Sequence, residues 1–226
     1  MRTILRATLA IIRKDLRAEL RTKESVAAML VFAILVLTIF NFALGQAGED
    51  RATLASGVLW VSFIFAGVLG LNRSFTMEKE AEGIQGLRLS PVDPSAIYLG
   101  KMVGNLIFML VVEAITIPIF SVLFNFSLGE ALWPLALVAF LSTLGFVAVG
   151  TLFAAMSVNT RTREVMLPLL LLPVALPVLI AAVSSTSLAL KGSPLAEAVN
   201  WLKMLIAFDV IFVVVSTLVF EYVIEE

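Results

Sequence analysis

Apolar residues fall into six long blocks along the chain, at about 26–45, 53–72, 101–124, 131–156, 165–186 and 202–223. Each is close to the ~20 residues that a helix needs to cross ~30 Å of hydrocarbon, and the pattern predicts six transmembrane helices. Ahead of them, Leu5, Leu9, Ile12, Leu16 and Leu20 recur every three or four residues among Arg2, Arg6, Arg13, Lys14, Arg17, Arg21 and Lys23. One leucine stripe on a basic helix predicts an interfacial helix over 1–24, with its leucines in the acyl boundary and its arginines among anionic headgroups. A secretory leader ending near Gly45-Gln46-Ala47 is the weaker reading, because the run from Val26 to Leu44 exceeds the 7–15 residues of a signal core. The rest, 25–226, reads as one transmembrane domain.

The longest polar interruption after the N-terminal arm is 73–100. It opens on Glu78-Lys79-Glu80-Ala81-Glu82, passes Gly83 and Gly86, and closes on the turn-forming run Ser90-Pro91-Val92-Asp93-Pro94. This predicts a short polar helix, a stop and an elbow. A hairpin between two membrane helices closes with a few polar residues, so a charged element of this length points to a protein partner on its side of the membrane. An amphipathic linker without a partner is the bland alternative.

Composition sharpens the class. The chain is 60% hydrophobic with a mean hydropathy of +1.03 and a formal charge of −1, so it belongs in a bilayer and bulk charge gives no reason to expect nucleic acid. Charge placement is more informative. With both termini inside, thirteen of the sixteen Lys and Arg residues lie on one face: the seven of the N-terminal arm, Arg73, Lys79, Arg88 and Lys101, and Arg161 and Arg163 after helix 4. The opposite face keeps Arg51, Lys191 and Lys203. Excess Lys and Arg mark the cytoplasmic side, which predicts cytoplasmic termini and a cytoplasmic elbow. The outer connections, 46–52, 125–130 and 187–201, leave no room for an external domain, though the last predicts a half-helix through Trp201.

Cysteine and histidine are both absent, which removes disulfides, thiolate and imidazole metal sites, His-ligated haem and most acid–base catalysis. No metal site is predicted. There is no phosphate-binding G-x-x-x-x-G-K-[ST] and no dinucleotide fingerprint, so energy must come from elsewhere. Helix 5 carries Pro168, Pro173 and Pro177 within ten positions, predicting a bent helix or one that changes shape during a cycle. Glu113 in helix 3 and Asp209 in helix 6 are mid-membrane acids, where insertion costs about 2.5–3.5 kcal/mol for an acid such as Asp. Each is expected to face a cavity or a partner, or to sit neutral with a hydrogen bond to a hydroxyl. No second acid lies at helical spacing to support a proton relay.

Six helices, a basic interfacial helix and a cytoplasmic elbow between helices 2 and 3 make the layout of an exporter permease driven by a separate ATPase. Particular residues narrow this. Gly57-Val58-Leu59-Trp60-Val61, Phe65-Ala66, Leu69, Leu71, Arg73, Phe75, Glu82-Gly83 and Leu89-Ser90-Pro91 resemble the membrane subunit of the cytochrome c maturation haem exporter, its B component. Gly145, Gly150, Ala154-Ala155, Arg161, Arg163 and the run from Leu170 to Ile180 are similar to the same family, and the likeness covers about residues 1–181.

The resemblance implies an ABC-2 (type V exporter-like) permease in the inner membrane, working as a pair with a cytoplasmic ATPase dimer, which binds the ATP. It also implies a haem-handling C component and a small D component, with haem as the transported or handled ligand. Glu78, Glu80, Glu82, Gly83, Arg88, Arg161 and Arg163 are the expected ATPase-coupling residues. Glu82-Gly83-Ile84 stands where the family has an Asp-Gly-Thr-like run, and the retained acid and glycine imply retained docking. Without histidine, haem in this chain could be held only by Met, Tyr or apolar packing. Two other functions remain: an ABC-2 permease for another amphiphile, such as a lipid-linked molecule or antibiotic, and an intramembrane metal-dependent enzyme, which would want clustered acids at a membrane face.

Overall fold

The computed structural model describes residues 2–44, 51–80, 92–157 and 163–225. Seven helices account for most of them: α1 (Arg2–Thr22), α2 (Glu24–Leu44), α3 (Arg51–Glu80), α4 (Pro94–Phe124), α5 (Leu132–Ser157), α6 (Arg163–Leu190) and α7 (Leu195–Glu225). Six of them, α2 to α7, are long and apolar enough to cross a membrane, and no strand occurs among the described residues. This is an all-α membrane protein. The stretch Gly45-Gln46-Ala47 lies outside the described residues.

Several helices run past the apolar blocks. The charged Glu78-Lys79-Glu80 run continues α3 where a separate short helix was expected, so α3 is a 30-residue rod, roughly 45 Å long, that overshoots the hydrocarbon. Helix α4 begins at Pro94, seven residues before the apolar block, because Asp93 caps it and Pro94 occupies its first turn. The Asp93 carboxylate accepts from the Ser95 hydroxyl and, at 2.9 Å, from its amide. Those bonds hold its carboxyl below the usual carboxylate range, the hydroxyl contributing most. The expected half-helix near Trp201 is the continuous start of α7.

Burial ranks the helices. Within their apolar windows α5 is 72% and α3 67% buried, against 17% for α2 and for α7; α3 and α5 are the middle of the bundle and α2 and α7 its flanks. Small residues let the central helices close up, as packing without a hydrophobic drive requires. A Cβ on Gly67 of α3 would come 2.5 Å from the Phe146 ring of α5, and one on Gly150 of α5 would overlap Leu71.

Helix α1 docks in an unexpected way. Of its apolar stripe Leu5, Leu9 and Leu20 are exposed, Leu20 to 71%, while Ile12 and Leu16 are half-buried. The adjoining line of Thr8, Ile11, Asp15 and Glu19 packs inward instead. Thr8 donates to the Ala96 carbonyl at 3.3 Å, and Ile11 fills the notch at Gly100 of α4, where a Cβ would lie 2.9 Å from it. At the end of α1, Lys23 takes a left-handed turn (φ 56°) into α2. Buried Glu19 then reaches across the turn to accept from the Val26 amide at 2.8 Å, capping α2.

Candidate functional site

The expected coupling residues divide by position. Glu78 and Glu80 belong to the last turn of α3, Arg163 is the first residue of α6, and Glu82, Gly83, Arg88 and Arg161 lie outside the described residues. The end of the bundle where α3 finishes and α4 begins is fastened by charge. Arg73 on α3 pairs with Glu24, the first residue of α2. Lys101 on α4 pairs with Asp15 on α1 at 2.8 Å, with its side chain 2% exposed and that of Asp15 13%. Lys14 approaches the same carboxylate at 3.4 Å. Beneath these charges lies a cavity of about 320 Å³ between α1, α2, α3 and α4. Thus α4, which begins at Pro94, grips α1 within about its first two turns.

Further along, α4 is joined to α5 by polar side chains. The Tyr98 hydroxyl donates to the Ala148 carbonyl at 3.0 Å, and the Asn105 amide donates to the Thr151 hydroxyl at 3.2 Å. Farther along α4 is buried Glu113, 2% exposed, whose Oε1 accepts from the Thr143 hydroxyl at 2.5 Å. Asp209 on α7 reaches the same turn of α5 from the other side, against Gly145, where any Cβ would overlap its Oδ1. The two membrane acids, ninety-six positions apart, therefore clasp one turn of α5. Glu113 matches the expectation of a hydroxyl partner. Neither oxygen of Asp209 has a hydrogen-bond partner among the described residues, nor has Oε2 of Glu113.

The three helix-5 prolines lie inside α6, which continues unbroken through them. Its buried line is Leu167, Leu171, Ala175, Val178, Ala182 and Ser185. Pro173 is exposed, and Pro168 and Pro177 are half-buried, so the backbone that each proline disturbs is turned from the tightest packing. A fourth, Pro118, sits inside α4.

Sequence reasoning missed Tyr98, Lys101, Asn105 and Asp15 as a set. Their signal was present: three polar positions, 98, 101 and 105, at helical spacing and continuous with an apolar block.

Neutral isosteres test the acids. Glu113→Gln and Asp209→Asn are expected to leave assembly and function nearly unchanged, while Glu113→Leu strands Thr143 and lowers stability by about 0.6–1.7 kcal/mol, the range for hydrogen bonds between membrane helices. Loss of function in Glu113→Gln at normal protein level would show that the charge itself is used.

A family model described as "CcmB protein" matches residues 6–225. Among relatives, "Heme exporter protein B" of Rhodobacter capsulatus is 31% identical over 171 residues, covering 76% of this chain and 78% of that protein. The protein of the same name from Pseudomonas aeruginosa is 27% identical over 194 residues, 86% of each chain. That of Escherichia coli (strain K12) is 27% identical over 180 residues, 79% of this chain and 81% of the relative.

Proposed function

We propose, from the premise that this chain belongs to the CcmB protein family, that it is the permease subunit of a haem exporter serving cytochrome c maturation. The observation that carries the reading is the family match from residue 6 to 225 over a six-span helical fold. It is a multi-pass membrane subunit of a larger complex and not itself an enzyme. In this proposal it lies in the inner membrane with both termini cytoplasmic, and works as a pair with a cytoplasmic ATPase dimer beside the C and D components.

The elbow is where work would enter. Glu78 and Glu80 at the end of α3, with Glu82, Gly83, Arg88, Arg161 and Arg163, form the proposed ATPase contact. A push on it would reach α3 and α4 at once, since both helices run directly into the elbow. From α4 it would pass to α1 through the Asp15–Lys101 pair and to α5 through Tyr98, Asn105 and Glu113. Pro168, Pro173 and Pro177 give α6 a backbone with fewer hydrogen bonds to break when it moves.

Deleting the gene in a host that makes c-type cytochromes should abolish covalent haem attachment, and the tagged chain should restore it and co-purify an ATPase. Normal holocytochrome levels without the chain would refute the reading. Orientation is tested separately in this chain, which has no cysteine. Single cysteines at Ser74, Thr162 and Ser193 are expected to react with an impermeant thiol reagent on intact cells only at 193. Labelling at 74 would put the elbow outside, out of reach of a cytoplasmic ATPase.

A further inference from the structure

Two buried oxygens without a hydrogen-bond partner among the described residues, Oε2 of Glu113 on α4 and Oγ of Ser142 on α5, belong to residues that line one small cavity. Thr143, whose hydroxyl donates to Oε1 of Glu113, lines it as well. The cavity has a volume of about 10 Å³ and lies between α3, α4, α5 and α6, with Trp60 and Phe63 on its α3 side and Val178 on its α6 side. Its other walls are apolar. The Trp60 N–H is already given to Thr186 at 2.9 Å, so the indole contributes only its ring. Glu113 and Ser142 are both buried, and in the hydrocarbon layer no bulk water reaches an oxygen that the protein leaves unbonded.

We propose that this cavity binds one water molecule, bonded to Glu113, Ser142 and Thr143. A buried water needs roughly 10–15 Å³ of such space and two to four polar partners. The cavity meets the first requirement at its lower end, so it admits one water and no larger guest. It also meets the second. Oε2 of Glu113 can accept, the Ser142 hydroxyl can donate or accept, and the Thr143 oxygen keeps a lone pair after donating to Oε1. Glu113 and Ser142 make no direct hydrogen bond although they line the same space, and a bridging water joins polar groups that stand too far apart or at the wrong angle to bond. A buried polar group left unpartnered is rare in native proteins, and a bound water is the ordinary way in which one is satisfied. Calcium or magnesium takes about six or more oxygens, which three side chains and an apolar wall do not supply. Water both donates and accepts, so one molecule serves the Glu113 carboxyl with or without its proton, and serves a glutamine amide as well. The site therefore adds a second tie between α4 and α5 beside the Glu113–Thr143 bond, and it accounts for the small effect expected of Glu113→Gln.

The inference does not depend on what the complex exports, and its test reads water without reference to haem transport. The full-length chain, with any subunits that accompany it, is purified in mild detergent and its structure is determined at a resolution that shows ordered water. Wild type should show a density peak about 2.7–3.2 Å from both Oε2 of Glu113 and Oγ of Ser142. Glu113→Gln should keep the peak, because the amide offers the water a partner in the same place. Ser142→Val should lose it, because the change removes one partner and puts a second methyl group into the space. A wild-type map that resolves other buried waters and has no peak here overturns the proposal. So does direct bonding of Oε2 of Glu113 to Ser142, a peak that persists in Ser142→Val, or a peak ringed by about six oxygens at the shorter distances of a metal ion. If Ser142→Val fails to assemble, the wild-type map decides alone, by the presence or absence of a peak at bonding distance from both oxygens.

Discussion

Replacing Lys101 with Met should destabilise the protein by about 3 kcal/mol, because it leaves the largely buried Asp15 carboxylate without its closest cation. The figure is set at the low end of the range for broken buried pairs, since Lys14 still approaches Asp15 at 3.4 Å. On the scaling for chains of this length the melting midpoint in detergent should fall by roughly 6–12 °C. Removing both charges, in Asp15→Leu/Lys101→Met, should return the midpoint to near wild type, as replacing a whole buried pair by apolar residues is often neutral. The double variant should nevertheless lose activity if the pair carries motion from the elbow to α1, a split between stability and function that a packing role alone would not produce. A shift of under 2 °C for Lys101→Met would mean that water reaches the pair.

The second large effect is expected at the elbow. Glu82→Lys reverses a charge in the proposed docking element, and losing one member of a buried interfacial pair costs roughly 2–5 kcal/mol, about 30-fold to several-thousand-fold in affinity. The ATPase should then no longer co-purify and cytochrome c assembly should stop, while the permease still reaches the membrane. Gly83→Pro should act similarly by fixing the backbone beside it. If both variants retain a stoichiometric ATPase and support assembly, the docking assignment is wrong. A partial loss relieved by low salt would place Glu82 at the rim of the contact.

The number and order of the spans were legible because lipid offers the backbone no hydrogen bonds, so every crossing must be a helix of nearly fixed length and each appears as an apolar block. Where those helices end was less legible. The ends are set by local chemistry such as Asp93 before Pro94 and the left-handed turn at Lys23, and a polar residue ends an apolar block without ending a helix. The leucine stripe of α1 is plain in the sequence, yet the adjoining line of Thr8, Ile11, Asp15 and Glu19 is the one that packs on protein, and an apolar stripe by itself does not say which face a helix partner takes.

The sequence by itself therefore determined the class of the molecule, its six spans, its charge asymmetry and the oddity of Glu113, Asp209 and the three prolines. Only the tertiary structure decided which of these meet. It set Asp209 against Gly145 and Glu113 on Thr143 of the same α5 turn, bound Lys101 to Asp15 eighty-six residues away, and opened a cavity under α1. In a chain whose lipid-facing and protein-facing surfaces are equally apolar, hydrophobic periodicity does not mark the contact faces. Side-chain size and a few polar partners choose them, and those act only once distant helices lie side by side.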